Sequence, residues 1–197
     1  DKHNLDTKNI RQIIEKVDPI TRKKYDYDNL EKIYIEHLNK SIDDSAAMDA
    51  IRRELSGKEI LLIAPGKNAE LQKDRIDAYR KEHNVVTISV NHIPSFMGTD
   101  MAYFSNYRRL ENAKDSDMRF TDLQKIVTSN IDYSDANVQK INYNDYIKQG
   151  WFHFDNATIM VLRLLVKLGI SNVAIAGFDG YVFNKGNYSS TALELKR

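Results

Sequence analysis

Two hydrophobic patterns divide the chain, and the change from one to the other falls near residue 57. In residues 1–56, apolar side chains recur at the three- and four-residue spacing of amphipathic helices, with charged residues between them. This spacing predicts helices over 10–17 and 28–39, and a third that begins after residue 43 or 44 and ends at Gly57. We therefore interpret 1–56 as a helical lead-in and 57–197 as a separate domain.

Beyond residue 57, apolar runs alternate with helical patterns. Aliphatic runs without polar interruption are typical of strands that are buried on both faces of a parallel sheet. The alternation predicts an α/β class: a Rossmann-like, mostly parallel sheet flanked by helices. Ligands of such sheets bind beyond the carboxyl ends of the strands. The predicted strands cover 59–64, 85–90, 101–104, 125–128, 138–141 and 172–176, and the predicted helices cover 68–82, 107–110 and 156–168.

Composition and charge narrow the possible partners and the compartment. The 29 basic and 28 acidic residues give a net charge of +1, which argues against nucleic acid or a membrane surface as a partner. The absence of cysteine excludes disulfides and thiolate metal sites, and it fits a reducing compartment. We expect a cytoplasmic protein. Because the chain begins without methionine, we also expect a segment of a longer polypeptide.

The first predicted strand breaks into a short polar loop that contains Gly66, Lys67 and Asn68. Backbone N–H groups at a helix start bind phosphate, a glycine lets the backbone approach closely, and a lysine adds positive charge. The loop matches neither the Walker A motif nor the dinucleotide-binding motif GxGxxG. An ordinary strand-to-helix turn is an equal alternative.

Two further predicted strands are followed by asparagines, Asn91 and Asn106. An asparagine amide both donates and accepts hydrogen bonds, which suits recognition of a base edge or of a sugar hydroxyl. A role in a turn or a helix cap is the alternative for each of them. Arg108 follows the second asparagine and is a candidate to reach an anion.

Polar residues also precede the last predicted helix and follow the last predicted strand. Asp155 or Asn156 is expected to cap that helix, whose first N–H groups would face the same sheet edge. His153 and Asp179 are candidates for acid-base chemistry. The alternatives are a structural histidine among aromatic residues and an aspartate that caps a turn. No residue spacing matches a metal motif, so we expect no metal in this part of the protein.

A family resemblance is carried by four segments of the chain: ILLIAPGK at 60–67, ISVNHIP at 88–94, YFSNYRR at 103–109 and AIAGFDGY at 174–181. They resemble the C-terminal region of certain bacterial multidomain proteins. Those proteins begin with an HMG-CoA-lyase-like (DRE-TIM) aldolase barrel, often labelled 4-hydroxy-2-oxovalerate aldolase. The resemblance implies an accessory domain whose partner is the aldolase barrel of the same polypeptide. The aldolase metal site lies in that barrel, so lyase activity is assigned to no residue of this chain.

The chain is more distantly similar to small bacterial sialyltransferases, which bind a cytidine nucleotide. That similarity implies a nucleotide or nucleotide-sugar-like ligand at the carboxyl edge of the sheet. No histidine follows Asp179 to serve as the transferase base. The alternatives are a non-catalytic module for docking the barrel or for homo-oligomerisation, and a sialyltransferase-like glycosyltransferase. The candidate ligand-binding residues are Gly66, Lys67, Asn68, Asn91, Asn106, Arg108, Asp155 and Asn156.

Overall fold

Six parallel strands form one sheet in the structure, a computed structural model that describes residues 41–147, 156–179, 186–190 and 192. The order of the strands across the sheet is β5-β4-β3-β2-β1-β6, and every neighbouring pair is parallel. The predicted Rossmann-like α/β fold is therefore confirmed. The strands are β1 (Glu59–Ile63), β2 (Val85–Val90), β3 (Met101–Phe104), β4 (Gln124–Thr128), β5 (Val138–Ile141) and β6 (Val173–Ala176).

The helices lie between the strands along the chain, as their pattern predicts. The helix expected over 68–82 is two helices, because the backbone at Gln72 leaves the helical region with φ −106° and ψ 23°. Short 3-10 turns follow at Met118–Phe120 and Tyr143–Asp145. The described α-helices are α1 (Ser45–Leu55), α2 (Lys67–Leu71), α3 (Lys73–Glu82), α4 (Tyr107–Ser116) and α5 (Ala157–Lys167).

Alternate side chains of each strand pack on opposite faces of the sheet. Ile60 and Leu62 of β1 belong to one apolar cluster with α1 and α5, while Leu61 and Ile63 belong to another with α2 and α3. The α4 side of the second face holds a third cluster around Phe104. Both faces are therefore covered by helices, and the central strands β1, β2 and β3 are buried along almost their whole length.

The helix α1 packs as part of this core. Its side chains Met48, Ile51 and Leu55 lie in the same apolar cluster as the strands, and Asp44 Oδ2 accepts a hydrogen bond of 2.8 Å from Asn142 N. The helix predicted to end at Gly57 is confirmed, with Gly57 at φ +70°. The two helices predicted before it fall in residues 1–40, outside the described residues.

The strand order changes direction between β1 and β6. From β1 the chain steps across the sheet to β5, and α5 then leads to β6 on the other side of β1. Loops that leave neighbouring strands in opposite directions border the crevice where doubly wound sheets bind ligands. The fold therefore identifies the carboxyl ends of β1 and β6 as one place to look for a site.

At this position the two loops approach each other through glycines. Gly66 N donates a hydrogen bond of 2.8 Å to Gly177 O. A Cβ atom on Gly66 would lie 2.2 Å from that same oxygen, and Gly177 has a φ of +71°, in the left-handed region that favours glycine. Both residues must therefore be glycine for the loops to lie so close.

We predict that Gly66→Ala lowers the free energy of unfolding by about 2 kcal/mol, because the added methyl group separates the two loops. Gly98→Ala is the matched control, since a Cβ atom there meets nothing within 4 Å. The control is expected to change stability by less than about 0.5 kcal/mol. Urea unfolding of both variants measures the difference, and equal stabilities would contradict the close approach.

Candidate functional site

Four of the residues singled out in the sequence follow four neighbouring strands. Gly66 lies beyond β1, Asn91 beyond β2, Asn106 beyond β3 and Asp179 beyond β6. Since all these strands are parallel and adjacent, their carboxyl ends share one edge of the sheet. The structure therefore brings these four residues to the same edge.

The loop after β1 is closed by the chain itself. Its backbone N–H groups already have acceptors: Lys67 N donates to Asn187 O at 3.3 Å, and Asn68 N donates to Asp179 Oδ2 at 2.7 Å. Together with the bond from Gly66 N to Gly177 O, these contacts occupy the amides that were expected to hold phosphate. The carboxylate of Asp179 stands where a bound anion would stand, so a phosphate here would have to displace it.

Asn91 lies in a turn after β2 and links the carboxyl ends of β2 and β3 through hydrogen bonds. Its φ of +58° is the one positive value among the described non-glycine residues. Its N–H donates to Tyr103 O at 2.7 Å, and its Oδ1 accepts from Ser105 N at 3.0 Å. Asparagine tolerates this conformation better than most residues. Within the described residues its Nδ2 makes no hydrogen bond, which leaves that group available to a ligand.

Asn106 is the N-cap of α4. Its Oδ1 accepts a hydrogen bond of 3.2 Å from Arg109 N, which is the capping role that the sequence left open. The cap also fixes which of the two following arginines turns inward. Arg108, the sequence candidate for an anion, is exposed, whereas Arg109 is 8% exposed. Arg109 and Ala113 are buried and lie four residues apart, on the same face of the helix. Once Asn106 is taken as the cap, this spacing would have identified Arg109 as the inward-facing arginine.

The guanidinium of Arg109 is buried, and the described part of the chain offers it no anionic partner. Its Nη1 is shielded from solvent and has no hydrogen-bond partner, and none of the ion pairs among the described residues includes it. The ring of Tyr188 lies over it, with 4.8 Å between the guanidinium carbon and the ring centre. Buried charges are normally paired, so an unpaired guanidinium indicates a place for an anion.

His92 lies at the same edge and is 2% exposed. Its Nδ1 is 3.0 Å from Val90 O, and because a carbonyl oxygen only accepts, Nδ1 must carry the proton. Burial, with the nearby charge of Arg109 as a further cause, lowers the pKa of His92 to about 4. The ring is therefore neutral at pH 7, and within the described ranges its buried Nε2 is an acceptor without a hydrogen-bond partner. We call these two residues the Arg109–His92 pair.

A short segment joins the two halves of the edge. Tyr188 forms an antiparallel bridge with Gly66, while its ring covers Arg109. Ser189 N donates to Pro65 O at 2.9 Å, and the Ser189 hydroxyl is buried without a hydrogen-bond partner. Sequence patterns could not reveal this segment, because its contacts link residues more than 75 positions apart.

The remaining candidates occupy other places. Asn156 caps α5, with its Oδ1 accepting a hydrogen bond of 2.8 Å from Thr158 N, and its side chain is exposed. His153 and Asp155 lie outside the described residues. In the part of the chain that the structure describes, no three histidine, aspartate or glutamate side chains are grouped so that they could hold a metal ion.

Comparisons with known proteins add no assignment to this site. No family model matches the chain, and neither the curated proteins nor the solved structures gave a match. Across the described ranges, none of the helices has the length and apolar character needed to cross a membrane. The geometry of the edge is therefore the basis for the functional proposal.

We predict a pH dependence of stability that originates in His92. Since its pKa is about 4 in the folded state and near 6.5 in the unfolded state, the unfolded chain binds more protons between these values. The stabilisation is fully present above pH 6.5 and is lost as the pH falls toward 4. Between pH 7 and pH 5 the loss from this residue is about 2 kcal/mol.

His92→Gln removes the titrating group and keeps a polar side chain of similar length. Chemical unfolding of both proteins at pH 7 and pH 5 measures the effect. The variant should lose less stability than the natural sequence over this interval. Equal losses in both proteins would show that His92 is accessible to protons in the folded state.

Proposed function

We propose that this domain binds a nucleotide or nucleotide-sugar-like ligand at the carboxyl edge of its sheet. The observation that carries the proposal is the buried guanidinium of Arg109, which has no carboxylate partner among the residues that the structure describes. A phosphate supplies the missing negative charge, and arginine binds it through two parallel N–H groups. We further propose that the domain is an accessory part of an aldolase-family polypeptide, which rests on the sequence resemblance alone.

The proposal assigns different roles to the residues of the edge. Arg109 binds the phosphate, and the Asn91 Nδ2 group donates to a base or to a sugar hydroxyl. Tyr188, whose ring already lies over the guanidinium, offers an aromatic face to the ligand. Asn106 contributes through its amide nitrogen while its oxygen caps α4. Asn91 follows β2, Asn106 and Arg109 follow β3, and Tyr188 contacts Arg109 from its bridge with Gly66.

This arrangement moves the phosphate away from the loop that the sequence favoured. The amides of Gly66, Lys67 and Asn68 are engaged within the chain, and Asp179 places a carboxylate beside them. A second anion near this carboxylate would be repelled. The half of the edge around Arg109 has the opposite character, with positive charge and unsatisfied donors.

A docking module for the aldolase barrel is the second candidate. Strand β6, the last in the strand order, supports it: Ile175 in the strand is 41% exposed, and Phe178 in the loop after it is 50% exposed. Exposed apolar side chains on an unpaired strand edge are typical of interaction surfaces. Analytical ultracentrifugation of this domain with the separate barrel tests the proposal, and Ile175→Lys should weaken any assembly. An unchanged assembly would exclude this edge.

We predict that isothermal titration with CMP, CDP, UDP, ATP and the corresponding nucleotide sugars detects binding by at least one of them. Arg109→Met keeps the buried aliphatic part and removes the charge, so affinity should fall about tenfold or more. Arg108→Met is the matched control, since the adjacent arginine is exposed. The control should leave affinity within about twofold.

Two isosteric variants test the asparagines without disturbing their structural contacts. Asn91→Asp and Asn106→Asp keep the oxygens that accept from Ser105 N and Arg109 N, and they replace each Nδ2 donor by a charged oxygen. Both should weaken nucleotide binding, partly through the added negative charge. The proposal fails if no nucleotide binds, or if Arg109→Met and Arg108→Met have equal effects.

A further inference from the structure

We propose that the Arg109–His92 pair is a subsite for an oxyanion that brings its own O–H donor. Its ligand is a hydrogen phosphate, or a phosphate ester with a neighbouring hydroxyl, in preference to a fully deprotonated oxyanion such as sulfate. This inference rests on the proposed function for the position of the ligand. It adds a role for His92, which selects ligands that carry an O–H donor.

Arg109 supplies the attraction for negative charge. A guanidinium has five N–H donors and no acceptor, so it can satisfy only acceptor atoms. Nη1 is shielded from solvent and lacks a partner among the described residues. A water molecule could accept from Nη1, but it would leave the buried charge uncompensated. An oxyanion satisfies both the hydrogen bond and the charge.

His92 adds the opposite requirement. The bond from Nδ1 to Val90 O fixes the proton on Nδ1, and the reversed tautomer would place two lone pairs 3.0 Å apart. Nε2 is therefore a buried acceptor with no partner among the described residues, and the charge of Arg109 is near enough to act on this ring. An anion without a proton would oppose this lone pair with its own. A ligand that donates to Nε2 removes the cost of leaving a buried acceptor unsatisfied.

Both requirements point to one class of chemical group. Phosphate near neutral pH carries negative charge and an O–H on the same group, whereas sulfate carries only the charge. A phosphate ester meets the same demand when a sugar hydroxyl lies beside it. Sites that hydrogen-bond a specific ligand hydrogen reject analogues that lack it, because the buried partner is left unpaired.

The experiment titrates inorganic phosphate and inorganic sulfate separately into the protein at pH 6.5 and measures both affinities by calorimetry. The natural sequence should bind phosphate at least about tenfold more tightly than sulfate. Arg109→Met should lose most of its affinity for both anions, while Arg108→Met retains the preference. His92→Phe should bind both anions with similar affinity, because it removes the acceptor and keeps a planar ring.

A second measurement uses only the natural sequence and so does not depend on the folding of a variant. The 15N resonance of His92 Nε2 reports hydrogen bonding to this atom. It should shift when phosphate is added and stay unchanged when sulfate is added. Equal affinities for the two anions, binding of neither, or an unmoved resonance with phosphate would each overturn the inference.

These outcomes separate the subsite from the proposed function. Selective phosphate binding without binding of any nucleotide supports the subsite and contradicts the nucleotide proposal. Nucleotide binding combined with equal affinities for phosphate and sulfate contradicts the subsite and leaves the nucleotide proposal standing. If the protein neither prefers phosphate over sulfate nor binds any nucleotide, both the subsite and the nucleotide proposal are contradicted.

Discussion

The contact between Gly66 and Gly177 is the constraint on which the rest of the edge depends. It brings the loops after β1 and β6 so close that a single methyl group would not fit between them. The same approach lets Asp179 reach Asn68 N, which closes this loop to other anions. It also supports the segment containing Tyr188, which pairs with Gly66. Backbone packing at the strand reversal thus satisfies the polar groups beside Gly66 and leaves Arg109 and His92 with unsatisfied buried atoms.

Local pattern was sufficient to predict the strands, because the central strands β1, β2 and β3 are buried along almost their whole length and are mostly apolar. It was not sufficient to predict the strand order. The pairing of β1 with β6 joins Ile60 to Val173, and nothing in either short run specifies this partner. For the same reason the sequence indicated a glycine loop at Gly66 but not its contact with Gly177. The break at Gln72 within the predicted helix likewise lacks a local signal such as proline or glycine.

The candidate site shows the same division between local and distant information. Asn91 and Asn106 were placed at the correct edge, because residues that follow parallel strands must share it. Asn106 also determines which side of α4 faces the core. A cap at this residue turns Arg109 inward and leaves Arg108 exposed. The role of His92 could not be found this way. It depends on the left-handed turn at Asn91, which directs the next side chain back toward Val90 O.

Several buried polar atoms lack partners among the described residues, and charge distinguishes Arg109 from the others. Thr87 Oγ1 and Asn142 Oδ1 are neutral groups, each of which costs about 1–3 kcal/mol when buried unsatisfied. A buried guanidinium costs more, because its charge also loses solvation. The same surroundings lower the pKa of His92 and keep its ring neutral, so His92 cannot compensate the charge of Arg109. A ligand that satisfies both residues recovers this free energy on binding, and the unliganded fold carries the cost in its stability.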